Sequence, residues 1–125
     1  MATVEFFYLP VPELAPALAF YRDTLGWDEG WREGDHTVTL AMPGAGVQLM
    51  VDVDPERVGR PGPMLVVDDA REWVRQRRAE VTIWLEPVEI PGGWWAGFED
   101  PHGNAVYVLD QSLDQSLDQS SADEA

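Results

Sequence analysis

The 125-residue chain has no cysteine and no lysine; all eight of its basic residues are arginines, and it has two histidines. Without cysteine there is no disulfide, no thiolate nucleophile and no thiolate metal site. The serines stand at 112, 116, 120 and 121, so residues 1–111 hold no serine, cysteine or lysine to serve as a nucleophile. The segment "PGAGVQ" lacks the lysine and following helix of a phosphate-cradling loop. No apolar run approaches the ~20 residues of a membrane span. "MATVEFFYLP" has neither a basic start nor a small-residue cleavage site, so no signal peptide is expected, and a cytoplasmic location fits by default.

Acid is what the chain has in excess: 23 Asp and Glu against 8 Arg, a formal net charge of −15. The sixteen residues from Asp110 carry five acids and no base, which leaves 18 acids against 8 bases in the rest. A field of that sign repels nucleic acid and anionic lipid and attracts cations. A solubility surface is the plainer account of the same charge.

Along the chain, "TVEFFYL" (3–9) is β-branched and aromatic and predicts a strand. "PVPELAPALAFYRDTLG" predicts a helix: prolines 12 and 16 suit its entry, Leu14, Leu18, Tyr21 and Leu25 repeat on one face, and Gly26 stops it. Strands are expected near 27–32, 36–42 and 46–53, with turns at "EGD" and "PGAG", and residues 54–62 read as a linker. The pattern then restarts. A strand at 63–67 leads to a helix through "AREWVRQRRA" capped by Asp68 or Asp69, followed by strands at 81–87, 93–99 and 104–110. "DPHG" (100–103) makes the last tight turn. The chain is thus two copies of strand–helix–three strands. The repeat "DQSLDQSLDQS" that follows is acidic and polar, and residues 111–125 are treated as an appendage without chemistry.

With "AFYRDTLGW" (19–27) in the first copy and "FEDPHGNAVYVLD" (98–110) in the second, the chain resembles the vicinal oxygen chelate superfamily. That superfamily includes glyoxalase I, extradiol dioxygenases, and fosfomycin and bleomycin resistance proteins. The resemblance implies an α+β fold of two βαβββ modules, about 3–53 and 63–110, whose curled mixed sheets enclose a cavity within a single domain spanning 1–110. It also implies a homodimer. Metal-dependent relatives take one ligand from the first and one from the last strand of each module. Those positions fall here on Phe6, Gln48, Gly62 (or Met64 with a slip of two) and Tyr107. None is a good metal ligand, and His36 and His102 fall beside turns. The sequence therefore departs from the enzymes, and no metal, cofactor or catalytic residue is assigned.

Strand alternation places Phe6 and Tyr8, and Gln48 and Met50, on inner faces together with Tyr107. Six tryptophans add aromatic surface; Trp73 is expected in the core, whereas Trp27, Trp31, Trp84, Trp94 and Trp95 lie on or near the strands that form the family's mouth. Adjacent Trp94 and Trp95 must point to opposite faces. The expected ligand lining is Phe6, Tyr8, Gln48, Met50, Trp84, Trp94, Trp95 and Tyr107. The function expected is binding, without chemistry, of a planar, cationic, antibiotic-like small molecule, as bleomycin resistance proteins do. Two alternatives stand beside it. One is a lyase, isomerase or dioxygenase with displaced ligands drawn from His36, His102 or Glu99; the other is an acidic protein–protein interaction module.

Overall fold

A computed structural model describes residues 3–44, 46–55 and 59–112. It divides into two compact units, Val4–Pro63 and Met64 onward, each a βαβββ module. Of the acidic tail, residues 113–125 lie outside the described residues, as do 56–58 of the expected linker.

The first module runs β1 (Thr3–Val11), α1 (Leu14–Leu18, continuing as a π-helical segment Ala19–Thr24), β2 (Glu29–Glu33), β3 (Thr37–Ala41) and β4 (Gln48–Val53). Its strands lie in the order β2-β3-β4-β1, antiparallel except for the parallel pair β1–β4. The helical connection is what lets β1 lie parallel to a later strand. Alternate residues Phe7, Leu9, Val38, Leu40, Leu49 and Val51 pack with Leu18 and Tyr21 of the helix in one apolar cluster. Burying each such side chain stabilises the module by roughly 1.5–3 kcal/mol.

Only half of the expected helix is α-helical. The amide of Leu25 donates to the Phe20 carbonyl (2.9 Å) and the Thr24 hydroxyl to the Ala19 carbonyl (3.0 Å), both spanning five residues. That wider winding rotates Leu25 off the stripe begun by Leu14, Leu18 and Tyr21, and Leu25 is 46% exposed. Gly26 closes the helix with φ 79°.

The second module runs β5 (Gly62–Val66), α2 (Ala70–Arg77), β6 (Thr82–Ile90), β7 (Gly93–Glu99) and β8 (Ala105–Leu109). Its order, β6-β7-β8-β5 with β5 parallel to β8, repeats that of the first module. Asp69, rather than Asp68, caps α2: its carboxylate accepts the Glu72 amide at 3.0 Å. Val74 and Ala70 of the helix pack on Leu65, Ile83, Trp94, Ala96, Phe98 and Val108. Trp73 is half-buried beside this cluster, stacked on Phe98 with ring centroids 5.1 Å apart.

Strand β6 extends three residues beyond its expected end to a turn at Pro91–Gly92. Pro87 interrupts an otherwise strand-like run, but β6 is the outer strand of its module and its pairing with β7 shifts register twice on the way. An outer strand with bulges tolerates a residue that has no amide to donate.

Candidate functional site

In each module one strand face packs against the helix, and the other carries the expected lining residues other than Trp94. In the first module that second face carries Phe6 opposite Gln48, and Tyr8 opposite Met50, which in turn faces Thr39. Phe6, Tyr8, Met50 and Thr39 are buried, and Gln48 is half-buried. Trp31 reaches the same face from a bulge in β2 and meets the Phe6 ring edge-on, centroids 6.2 Å apart. The bulge has a local cause. Buried Thr39 Oγ1 accepts the Trp31 amide at 2.9 Å, and it stands where a Cβ at Gly30 would come within 2.5 Å.

In the second module the corresponding face carries Met64 opposite Tyr107. The pair is the counterpart of Phe6 and Gln48, so the register selects Met64 over Gly62 as Tyr107's neighbour. Trp95 stacks on the Tyr107 ring at 5.2 Å with planes 17° apart, and Trp84 meets it edge-on at 5.5 Å. Such pairs contribute roughly 0.5–1.5 kcal/mol beyond the area they bury. Gly97 lies across from Tyr107 and gives the Trp84 indole its seat, since a Cβ there would stand 2.9 Å from the ring. Of the expected lining residues, the structure brings Trp84, Trp95 and Tyr107 together.

Trp94 is not part of that group. It points to the opposite face, packs in the α2 cluster, and lies under the Arg71 guanidinium, 4.2 Å from the ring centroid. Adjacency on one strand forces the separation from Trp95.

A divalent metal does not suit the residues at the family's ligand positions. Phe6 has no donor atom, Gln48 and Met64 offer a neutral carbonyl and a thioether, and Tyr107 a phenol; no carboxylate or imidazole is among them. Among the described residues no group of three or more His, Cys, Asp or Glu side chains is arranged to hold a metal ion. His102 occupies the tight turn, where Asp100 accepts the amides of His102 (2.8 Å) and Asn104 (2.9 Å) and Gly103 takes φ 85°. These bonds, the backbone and side chain of Asn104 foremost, hold the Asp100 carboxyl below its ordinary range. The "DPHGN" motif thus builds a hairpin.

Glu86 is exposed and doubly hydrogen-bonded to Arg78 at 2.8 and 2.6 Å. The Arg78 hydrogen bonds and charge lower its proton affinity, the wrong direction for general-base work near neutral pH.

Sequence reasoning passed over Asp52. Its carboxylate accepts the Tyr8 hydroxyl at 2.6 Å and the Thr37 hydroxyl at 2.7 Å. Thr37 has one hydrogen, given to Asp52, so His36 Nδ1, 2.7 Å from the Thr37 oxygen, is the donor in that contact. The signal was available: Asp52 follows Gln48 by four residues on one strand and so shares its face.

The fold and its aromatic strand faces define a class: two-module βαβββ proteins of the glyoxalase type. A profile of the Glyoxalase/Bleomycin resistance protein/Dioxygenase superfamily matches residues 3–108, and the chain belongs to that superfamily. No curated protein matches it. Among solved structures it is similar to methylmalonyl-CoA epimerase from Mycobacterium tuberculosis (18% identity, 91% of each chain covered, TM-score 0.62). It is also similar to a superfamily member from Vibrio splendidus 12B01 (18% identity, 88% of this chain and 99% of that one, TM-score 0.56). At these identities the likeness is one of fold. TnmS3, an antibiotic binding protein from Streptomyces sp. CB03234, is 29% identical over 90% of this chain and 98% of its own, but a TM-score of 0.39 says nothing about this chain's ligand.

Proposed function

We propose that the chain binds a planar, antibiotic-like small molecule on its helix-free strand faces and sequesters it without chemistry. The observation that carries this reading is the Trp84–Tyr107–Trp95 cluster, in which half-buried Trp84 and Trp95 flank a buried Tyr107 at the position where metal-dependent relatives place a ligand. Flat ligands stack on such surfaces, and cationic ones gain a further 0.5–2 kcal/mol or so from the ring faces. The net charge of −15 favours a cation as the visitor. A homodimeric state and a cytoplasmic location belong to the same proposal, the first from family resemblance and the second from the cysteine-free sequence. No helix among the described residues is long and apolar enough to cross a membrane.

The test is a tryptophan-fluorescence titration with metal-free bleomycin. Saturable quenching in the micromolar range or below (about −8 kcal/mol) is expected, weakened in Trp95→Ala and unchanged in Trp94→Ala. Quenching abolished by Trp94→Ala alone would relocate the site to the α2 side; a flat titration would remove this drug as a ligand.

A further inference from the structure

Gln48, Met50 and Asp52 alternate along β4 and so project to one face, beside Phe6 and Tyr8 of the neighbouring strand. Two polar groups on that face are only partly used. Gln48 Oε1 is buried and accepts no hydrogen bond from the described residues. Its close neighbour is exposed Gly30, where a Cβ would stand 2.8 Å away and press on the oxygen. Asp52 is 25% exposed, and its carboxylate receives two neutral hydroxyls. A carboxylate has about four acceptor positions. His36 Nδ1, 3.9 Å from Oδ1, is the cation-forming group that faces it. Tyr8 and Thr37 fix the carboxylate's orientation, which lowers the entropy lost when a ligand engages it.

We propose that this face holds its ligand at two points: the Asp52 carboxylate takes a protonated amine, and Gln48 Oε1 accepts an N–H or O–H. Four strand steps separate the two, roughly 13 Å. The ligand class is therefore an aromatic compound with a cationic, extended amine chain laid along β4. The assignment rests on the small-molecule binding reading above and adds the charge and spacing of the ligand.

The test compares naphthylmethylamine, neutral naphthylmethanol, and naphthylmethyl-spermidine, whose chain spans the two acceptors. The amine is expected to bind about fivefold more tightly than the alcohol, the size of a partly exposed charge pair. The spermidine conjugate is expected to bind more tightly still. Asp52→Asn abolishes the preference for the amine; Tyr8→Phe, which removes a neutral donor and leaves the charge, preserves it. Gln48→Met removes the extra gain of the conjugate and leaves the amine-to-alcohol ratio unchanged. Equal binding of amine and alcohol to the unaltered protein overturns the assignment while leaving aromatic binding intact, and that comparison decides even if Asp52→Asn fails to fold. A conjugate gain that survives Gln48→Met overturns the second point. If none of the three probes binds, the binding reading itself falls and this inference with it.

Discussion

A Cβ placed on Gly97 would stand 2.9 Å from the Trp84 indole, so any larger residue there must lift the ring from the sheet. Lifting it breaks the edge contact with Tyr107, 5.5 Å between centroids. Gly97→Ala is expected to cost about 1–3 kcal/mol as overpacking, to alter the near-ultraviolet circular dichroism of the tryptophans, and to weaken ligand quenching. Unchanged spectra and affinity would show that Trp84 has another way to reach its place. The sequence makes much of this face legible. Alternation alone groups Phe6 with Tyr8 and Gln48 with Met50, because period-two side chains are fixed once one residue is oriented. It cannot say which of Trp94 and Trp95 turns toward Tyr107. That depends on the pairing of β7 with β8, where Trp95 faces Leu109 and Gly97 faces Tyr107. The choice between Gly62 and Met64 has the same origin, in the register of β5 on β8.

At the scale of elements, Asp110 joins three pieces of the second module. It is 1% exposed; Oδ2 accepts the first amide of α2, from Ala70, at 2.6 Å, and Oδ1 accepts the amide of Trp94, the second residue of β7, at 3.0 Å. The same Oδ1 accepts the amide and hydroxyl of Ser112. Gly93 is bare because a Cβ would come 2.0 Å from the Asp110 carbonyl oxygen. Asp69, by comparison, caps α2 from an exposed position with one bond. Removing it in Asp69→Ala is expected to cost about 1 kcal/mol. Asp110→Ala strands three backbone donors, those of Ala70, Trp94 and Ser112, Ala70's fully buried, and is expected to cost on the order of 3 kcal/mol or more, read as the larger fall in Tm. A smaller effect for Asp110 than for Asp69 would show that water replaces the lost carboxylate. The order of elements was legible from periodicity and turn residues. The π winding after Leu18 was not, since it follows from hydrogen bonds such as Thr24 to Ala19 that no apolar stripe announces.

For the whole molecule, two electrostatic effects of opposite sign compete. Net charge of −15 on a 14.0 kDa chain is a long-range repulsion that favours expansion. Against it stand local pairs, Arg22 with Asp23 and Glu29, Arg32 with Glu29, Arg75 with Glu72, and Arg78 with Glu86. Each is an exposed pair of the kind that contributes little. Salt screens both, but contacts near 3 Å lie well inside the screening length of about 10 Å at 0.1 M, whereas charges spread over the surface lie beyond it. Repulsion therefore loses more, and Tm at neutral pH is expected to rise on going from about 20 mM to 500 mM NaCl. Acid reverses the balance. The arginine hydrogen bonds lower the proton affinity of Glu29, Glu72 and Glu86 in the folded chain. Groups shifted down stabilise the fold fully above the ordinary carboxylate range and lose that contribution as pH falls through their lowered values. Near the isoelectric point of about 4.1 the net charge, and with it the repulsion, has been titrated away and the pairs are weakening, so added salt no longer raises Tm there. Glu86→Gln should shrink the acid loss without changing the salt response at neutral pH. A Tm that falls with salt at neutral pH would mean that the ion pairs, and not the surplus of acid, dominate the stability of this protein.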